Sequence, residues 1–185
     1  VVLEVVGGVP HFYENTLGVL TNAPGFQWHM TNLNNYVNIQ PGSAPDNEIK
    51  QDVTLKALGH GSGMLGLPGD FTSPSRFVRA AFYQTTAPVL PTAFETVVQA
   101  FHILNNFDIP VGVESAKGKI PEGLPSATQV TTSTDQTNRK FYYRTAWNST
   151  IRCIDLASID FRTVKYQSKP LDKVQKQPVE MVRPE

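Results

Sequence analysis

The sequence KFYYRTAW at residues 140–147 is the stretch that decides the fold. Successive side chains of a β-strand point to opposite faces, so Phe141 and Tyr143 share one face while Tyr142 and Ala146 share the other. Both faces of this strand are therefore apolar. Such a strand has to be covered on both sides, which predicts a layered arrangement of sheets and helices.

Three other stretches in this part of the chain also have strand composition and are bounded by turn residues. They are residues 128–134, 150–156 and 162–166, with turn signals at 135–138 and 148–149. Short strands joined by tight turns predict an antiparallel meander. The remaining residues, 168–185, carry scattered lysines and prolines without a period. We expect them to form an extended arm.

The first part of the chain also begins with strands. Residues 1–6 are rich in β-branched side chains and end at Gly7-Gly8, which predicts a hairpin with residues 9–14 as the returning strand. Residues 17–21 predict a third strand and residues 30–36 a short helix. Residues 40–52 are rich in Pro, Gly, Ser, Asp and Asn, which predicts a surface loop.

Two helices separate these strands from the meander. The first is predicted to begin at Ser73 as N-cap with Pro74 at the first helical position, and to run to about Thr86. The second is predicted from about Thr92 to Phe107, because apolar residues recur there at helical spacing. A loop over residues 108–125 follows. Strands and helices that are segregated along the chain indicate the α+β class with antiparallel sheet.

The composition excludes several classes of protein. The chain has 185 residues, of which 40% are hydrophobic and 17% charged, so it can bury a core. Its 16 basic and 16 acidic residues balance, which gives no basic excess for binding nucleic acid. No apolar run approaches the roughly 18–20 residues of a membrane span. The single cysteine, Cys153, excludes an internal disulfide and a thiolate zinc cluster.

Three features that could carry chemistry have ordinary explanations. The G-x-G-x-x-G pattern at residues 61–66 would bind a dinucleotide only if a helix opened on its last glycine, but Pro68 and Gly69 follow. The four histidines include no i, i+4 pair, so neither a metal nor a cofactor is predicted: His11, His29, His60 and His102. Cys153 lies in the middle of a predicted strand, and we expect it to be a buried structural cysteine.

Two residues leave a functional and an ordinary interpretation open. Arg76 lies in the first turn of the predicted helix, where the helix dipole disfavours a cation. It is held there either for a site or by an ion pair with Asp70. Asn22 ends a predicted strand before Ala23-Pro24, and it is either a turn residue or part of a site.

Two long motifs in this order resemble the choloylglycine hydrolase family, which holds conjugated bile salt hydrolases and penicillin V acylases. LTNAPGFQW at 20–28 with NLNNY at 32–36 resembles the signature TN-x-P…NL-x-x-Y, and GLPGDFTSPSRF at 66–77 is similar to LPGD-x-[ST]S-x-SRF. NFDIP at 106–110 with Gly112, and the strand region 142–154 with Thr145 and Asn148, also look like family positions. The resemblance runs over residues 1–161.

The resemblance implies an N-terminal-nucleophile hydrolase with a four-layer αββα sandwich, of which residues 1–167 would be the C-terminal part of a single domain. The family's nucleophile is a cysteine at the first position of the mature chain, and its α-amino group is the base. By resemblance, Asn22 helps to hold the oxygen of the tetrahedral intermediate, and Arg76 lies beside the cysteine sulfur. The cysteine and the remaining site residues are expected upstream of Val1, in the N-terminal half of the same enzyme.

The same resemblance implies a small amphipathic amide as substrate, no cofactor, and a homotetramer. Glycine- or taurine-conjugated bile salts are the favoured substrate, and penicillin V is the alternative within the family. Cys153 is internal and has no free amine, so it cannot replace the nucleophile. A non-catalytic remnant that binds amphipathic ligands is the alternative from another class of function.

Overall fold

The computed structural model describes residues 1–119 and 126–184. The last part of the predicted loop 108–125, from residue 120, and the final residue of the predicted arm lie outside this range. The chain divides into two compact units, Val1–Pro88 and Val89–Glu185, and each is described by itself.

The first unit opens with the predicted hairpin. Strands β1 (Val2–Val6) and β2 (Val9–Tyr13) pair antiparallel, with Val6 opposite Val9. The two-residue turn needs positive φ at both central positions, and Gly7 and Gly8 supply it at 59° and 82°. The hairpin prediction is confirmed.

Residues 17–21 form a turn and irregular backbone, so the prediction of a third strand is wrong. The Asn15 side chain closes this segment, because its Oδ1 accepts from the Val19 N–H at 3.2 Å and its Nδ2 donates to the Val19 carbonyl at 3.1 Å. Gly18 has φ of 62°, which is incompatible with an extended strand. The composition of residues 17–21 does not show that the Asn15 side chain competes with strand formation for the backbone of Val19.

Helix α1 (Phe26–Asn32) and a 3₁₀ turn (Leu33–Tyr36) start four residues earlier than the predicted helix at 30–36. Phe26 is buried against Phe77, with ring centroids 6.1 Å apart in an edge-to-face arrangement. Val2 and Val19 complete this buried cluster. Helix α1 is therefore fixed on the hairpin and on the helix that carries Phe77.

A short hairpin lies in and beyond the predicted loop 40–52. Its strands are β3 (Asn47–Lys50) and β4 (Val53–Leu55), and a 3₁₀ turn (Ser62–Met64) follows. The backbone of Gly63 is fastened to residues 40–42, since its carbonyl accepts from Gln40 N at 2.9 Å and its N–H donates to Gly42 O at 3.0 Å. A Cβ at Gly63 would overlap the Gln40 carbonyl oxygen, so this close approach requires glycine.

Helix α2 (Ser73–Thr86) follows, and its N-cap is Thr72 rather than the predicted Ser73. The Ser73 hydroxyl is engaged elsewhere, with the backbone carbonyl of Asn22. The long helix therefore begins seven residues after Gly66, which is not the geometry of a dinucleotide fingerprint. It ends at Thr86 because Ala87 precedes a proline.

The second unit packs one helix on a three-stranded antiparallel sheet. Helix α3 (Ala93–Leu104) has a capping box, in which Thr92 Oγ1 accepts from Glu95 N–H and Glu95 accepts from Thr92 N–H. Strands β5 (Val130–Asp135), β6 (Lys140–Thr145) and β7 (Asn148–Asp155) are ordered β5-β6-β7, which confirms the meander. Val97 and Phe101 bury Tyr142 of β6.

Residues 162–166, all described, do not form the predicted fourth strand. Asp160 closes turns there, because its carbonyl accepts from Thr163 N at 3.1 Å and Val164 N at 2.9 Å. Cys153 is exposed, so the prediction of a buried cysteine is wrong. It lies on β7, which is an edge strand of the described sheet.

Helices α2 and α3 lie between two groups of antiparallel strands, as predicted for the α+β class, and the short helix α1 lies between the two hairpins of the first group. The four-layer sandwich, and the division at residues 167/168, stay predictions. Residues 169–184 contain no helix or strand, and Arg152 of β7 binds this segment by donating to Leu171 O at 2.9 Å and to the Asp172 carboxylate at 2.7 Å. In the described part of the chain, no helix is both long and apolar enough to cross a membrane.

Candidate active site

The two residues predicted for the site contact each other, although 54 positions separate them in the sequence. Arg76 Nη2 donates to Asn22 Oδ1 at 2.7 Å. Asn22 follows the closed turn at residues 15–19, and Arg76 lies in the first turn of α2. The fold of the first unit therefore brings together the two family-like motifs at 20–28 and 66–77.

Arg76 is directed by the loop before its helix. Its Nε donates to the Phe71 carbonyl at 3.1 Å, which leaves Nη2 aimed at Asn22. The ordinary alternative was an ion pair between Arg76 and Asp70, and no such pair forms among the described residues. The guanidinium is therefore held by a carbonyl and an amide, and its charge is not neutralised by a carboxylate of the described chain.

Asp70 has different partners. Its carboxylate accepts from the Ser75 hydroxyl at 2.6 Å and from the hydroxyl and N–H of Thr72 at 2.6 and 2.9 Å. These hydrogen bonds, that of Ser75 first, lower the pKa of Asp70 to about 2. The positive end of the helix dipole also stabilises an anion at this position. Asp70 thus shapes the start of α2 without touching Arg76.

Arg79 was not singled out from the sequence, yet it fastens the loop that positions Arg76. The side chain is buried, and Nη1 donates to the carbonyls of Pro68 at 2.7 Å and Asp70 at 2.6 Å. Burial lowers the pKa of this arginine, which nevertheless stays charged at neutral pH. A signal was available: Arg79 falls between Val78 and the small apolar residues Ala80 and Ala81 of an amphipathic helix.

His29 and Ser73 were also missed, and they hold the backbone of Asn22. His29 Nε2 lies 2.9 Å from the Asn22 carbonyl oxygen, and the Ser73 hydroxyl donates to the same oxygen at 2.8 Å. His29 is only 1% exposed, and its ring stacks on Phe77 at 4.7 Å. The spacing of Phe26, His29 and Leu33 along one helix face could have predicted this burial.

The geometry leaves one group of Asn22 available. Its carbonyl and its Oδ1 are both occupied, whereas Nδ2 donates to no group of the described residues. An amide N–H fixed in this way can donate to an oxygen that gains negative charge during a reaction. The described residues hold no group of three or more His, Cys, Asp or Glu side chains suited to a metal ion.

Comparison with known proteins decides the family. Residues 1–169 match the linear amide C–N hydrolases of the choloylglycine hydrolase family. This chain belongs to the choloylglycine hydrolase family. The resemblance predicted from the motifs at 20–36 and 66–77 is confirmed.

Two curated relatives agree with this assignment. The chain is 38% identical over 173 residues to the bile salt hydrolase/transferase of Lactiplantibacillus plantarum, covering 92% of this chain and 51% of that protein. It is 35% identical over 171 residues to the bile salt hydrolase/transferase of Clostridium perfringens, covering 90% and 50% of the two chains. The chain thus spans about half the length of these curated relatives.

Two solved structures have a similar fold. A mutant form of the conjugated bile acid hydrolase from Clostridium perfringens matches with a TM-score of 0.77 at 30% identity, over 98% of this chain and 53% of that chain. Penicillin V acylase from Agrobacterium tumefaciens matches with a TM-score of 0.62 at 20% identity, over 85% and 42% of the two chains. The latter likeness concerns the fold alone.

Proposed function

We propose that this choloylglycine hydrolase chain is the C-terminal part of a cysteine amidase that hydrolyses the amide of glycine- or taurine-conjugated bile salts. The observation that carries the proposal is the 2.7 Å contact between Arg76 Nη2 and Asn22 Oδ1, which joins the two family motifs. The names of the two curated relatives, both bile salt hydrolase/transferases, support the substrate class. We call the polypeptide that contains this chain and an upstream cysteine the longer enzyme.

The proposed reaction begins at that cysteine, the first residue of the mature longer enzyme. Its thiolate attacks the carbonyl carbon of the conjugate, and the α-amino group accepts the thiol proton. An α-amino pKa of about 7.7–8 suits this role at neutral pH. The C–N bond then breaks, the amine leaves with the proton, and a thioester remains that water hydrolyses to the bile acid.

Asn22 and Arg76 have separate roles in this reaction. Asn22 Nδ2 donates to the carbonyl oxygen as that oxygen becomes an oxyanion, an interaction typically worth about 3–4 kcal/mol in the transition state. No carboxylate of the described residues forms an ion pair with Arg76, and its positive charge favours a thiolate over a thiol. The same guanidinium holds Asn22 Oδ1, so the amide cannot turn its oxygen towards the substrate.

Penicillin V hydrolysis is the second candidate activity, because the family that the motifs resemble also holds penicillin V acylases. Both substrates place a bulky apolar acyl group on an amide whose amine fragment is anionic. We also propose that the longer enzyme is a homotetramer, as the family resemblance implies. Light scattering of the purified longer enzyme tests this assembly.

The experiment compares substrates and variants of the longer enzyme. Release of glycine or taurine from conjugated cholate, and of the phenoxyacetyl group from penicillin V, is measured for the wild type, Asn22→Ala and Asn34→Ala. Asn34 is an exposed asparagine of the neighbouring turn and is the matched control. We expect the wild type to cleave conjugated cholate faster than penicillin V. With conjugated cholate, kcat should be about 10²–10³-fold lower in Asn22→Ala and unchanged in Asn34→Ala. Equal rates for Asn22→Ala and wild type would refute the role of Asn22.

A further inference from the structure

His29 is the buried titratable side chain nearest to the candidate active site in the first unit. It lies on α1 with 1% exposure, and its ring is parallel to that of Phe77 within 7°. A stacked, buried ring has little freedom to move. The position of Nε2 is therefore fixed by the core and not by the group that it contacts.

The partners of His29 define which nitrogen carries the hydrogen. Nε2 lies 2.9 Å from the Asn22 carbonyl oxygen, which can only accept, so Nε2 must donate. Nδ1 is buried and has no hydrogen-bond partner among the described residues. The Nε2–H of the imidazole therefore donates to the backbone of Asn22.

Ser73 complements His29 from the start of α2. Its hydroxyl donates to the same carbonyl at 2.8 Å, and its own carbonyl accepts from the Thr21 hydroxyl at 3.2 Å. The segment that ends at Asn22 is thus attached to α1 and α2 at once. Since Arg76 also belongs to α2, one helix holds both the backbone and the side chain of Asn22.

We propose that His29 is a positioning residue for catalysis: its Nε2–H, together with the Ser73 hydroxyl, sets the Asn22 peptide so that Asn22 Nδ2 meets the developing oxyanion. The inference rests on the proposed function, because it uses the oxyanion role of Asn22. His29 does not touch the substrate in this account. It acts through the conformation of Asn22, so its removal alters kcat more than KM.

Two substitutions in the longer enzyme separate the donor from the ring. His29→Phe keeps a ring on Phe77 and loses the donor, whereas His29→Gln loses the stacking and can place an amide N–H near the position of Nε2. We expect kcat for bile salt cleavage to fall about five- to tenfold in His29→Phe with KM unchanged, and to be largely retained in His29→Gln. Thermal stability should follow the opposite order. His102→Phe, at an exposed histidine, is the control.

A purely structural His29 would make kcat and stability fall together, and that result would overturn the proposal, as would a wild-type kcat in His29→Phe. If His29→Phe does not fold, Ser73→Ala decides, since it removes the second donor to the same carbonyl and should also lower kcat. A crystal structure of His29→Phe tests the position of Asn22 without relying on activity. An Asn22 side chain still 2.7 Å from Arg76 and unrotated would overturn the inference, whereas an inactive wild type would refute only the proposed function.

Discussion

The Arg76–Asn22 contact predicts that the two residues are not independent in catalysis. The perturbation is a double-mutant cycle in the longer enzyme: Asn22→Ala, Arg76→Ala and the double variant. Their contact is a charged donor on a neutral amide at 2.7 Å, with Arg76 partly buried. A hydrogen bond to a charged group is worth about 1.5–3 kcal/mol, and loss of an oxyanion donor about 3–4 kcal/mol.

These magnitudes give a clear expectation. If the two residues acted separately, the losses would add to about 4.5–7 kcal/mol in the activation free energy. If Arg76 fixes the Asn22 amide, part of the Arg76 effect passes through Asn22 and disappears once Asn22 is alanine. We therefore expect a coupling of at least about 1.5 kcal/mol, which is about tenfold in kcat.

The assay is the release of taurine from taurocholate at saturating substrate, measured for all four enzymes under one set of conditions. Arg162→Ala is the matched control, because its side chain is 91% exposed and lies outside the site. Losses that add within about 0.5 kcal/mol would refute the claim that Arg76 positions Asn22. If kcat fell as much in Arg162→Ala as in Arg76→Ala, the effect would come from the loss of a positive charge in general.

Three further predictions concern stability. Gly63→Ala should destabilise the fold by about 1–3 kcal/mol in urea unfolding, because an added Cβ overlaps a backbone carbonyl. The pKa of Asp70 is about 2 in the folded protein against 3.8 for the free side chain, so its ionised form stabilises the fold above about pH 4 and this stabilisation is lost as the pH falls towards 2. Since Asp70 is exposed, we expect it to contribute about 1 kcal/mol to the free energy of unfolding, and Asp70→Asn should lack this contribution. Thr92→Ala should cost about 1 kcal/mol of unfolding free energy by removing the N-cap of α3.

Each stability prediction has a control in the chain. Gly61→Ala meets no atom within 4 Å and should be close to neutral, so equal losses at Gly61 and Gly63 would contradict the steric argument. Thr96→Ala removes an exposed threonine of the same helix and should cost less than Thr92→Ala. For Asp70, a wild-type protein and Asp70→Asn with parallel pH profiles between pH 4 and 2 would refute the assignment.

The sequence predicted the elements that local patterns specify. The Gly7-Gly8 turn, the helical spacing of apolar residues after Thr92 and the alternation around Tyr142 are local patterns, and the structure contains the hairpin, the helix and the meander that they predict. The failures occurred where a side chain competed with the backbone. The Asn15 side chain closes a turn at the predicted strand 17–21, and the Asp160 carboxylate accepts from the Arg162 N–H at 3.1 Å and the Thr163 hydroxyl at 3.0 Å at the start of the predicted strand 162–166.

The sequence predicted two residues of the candidate site but not the contacts that hold them in place. Asn22 and Arg76 were found by family resemblance, whereas the contacts of Asn22 with Ser73 and with Arg76 span 51 and 54 positions of sequence. Contacts between residues so far apart produce no periodic pattern in the local sequence. Ser73 shows the difficulty, because the sequence favoured it as a helix cap while the structure uses its hydroxyl on the carbonyl of Asn22. Cys153 was expected to be buried because it lies in the middle of a predicted strand, but that strand is at the edge of the described sheet.

The most direct test of the account is the rate of amine release from glycine- and taurine-conjugated cholate by the longer enzyme. The measurement is made with its N-terminal cysteine intact and with that cysteine replaced by alanine. We expect turnover by the first enzyme and none by the second, with bile salt binding retained in both. Binding without amine release by the intact enzyme, or turnover that survives loss of the cysteine, would contradict it.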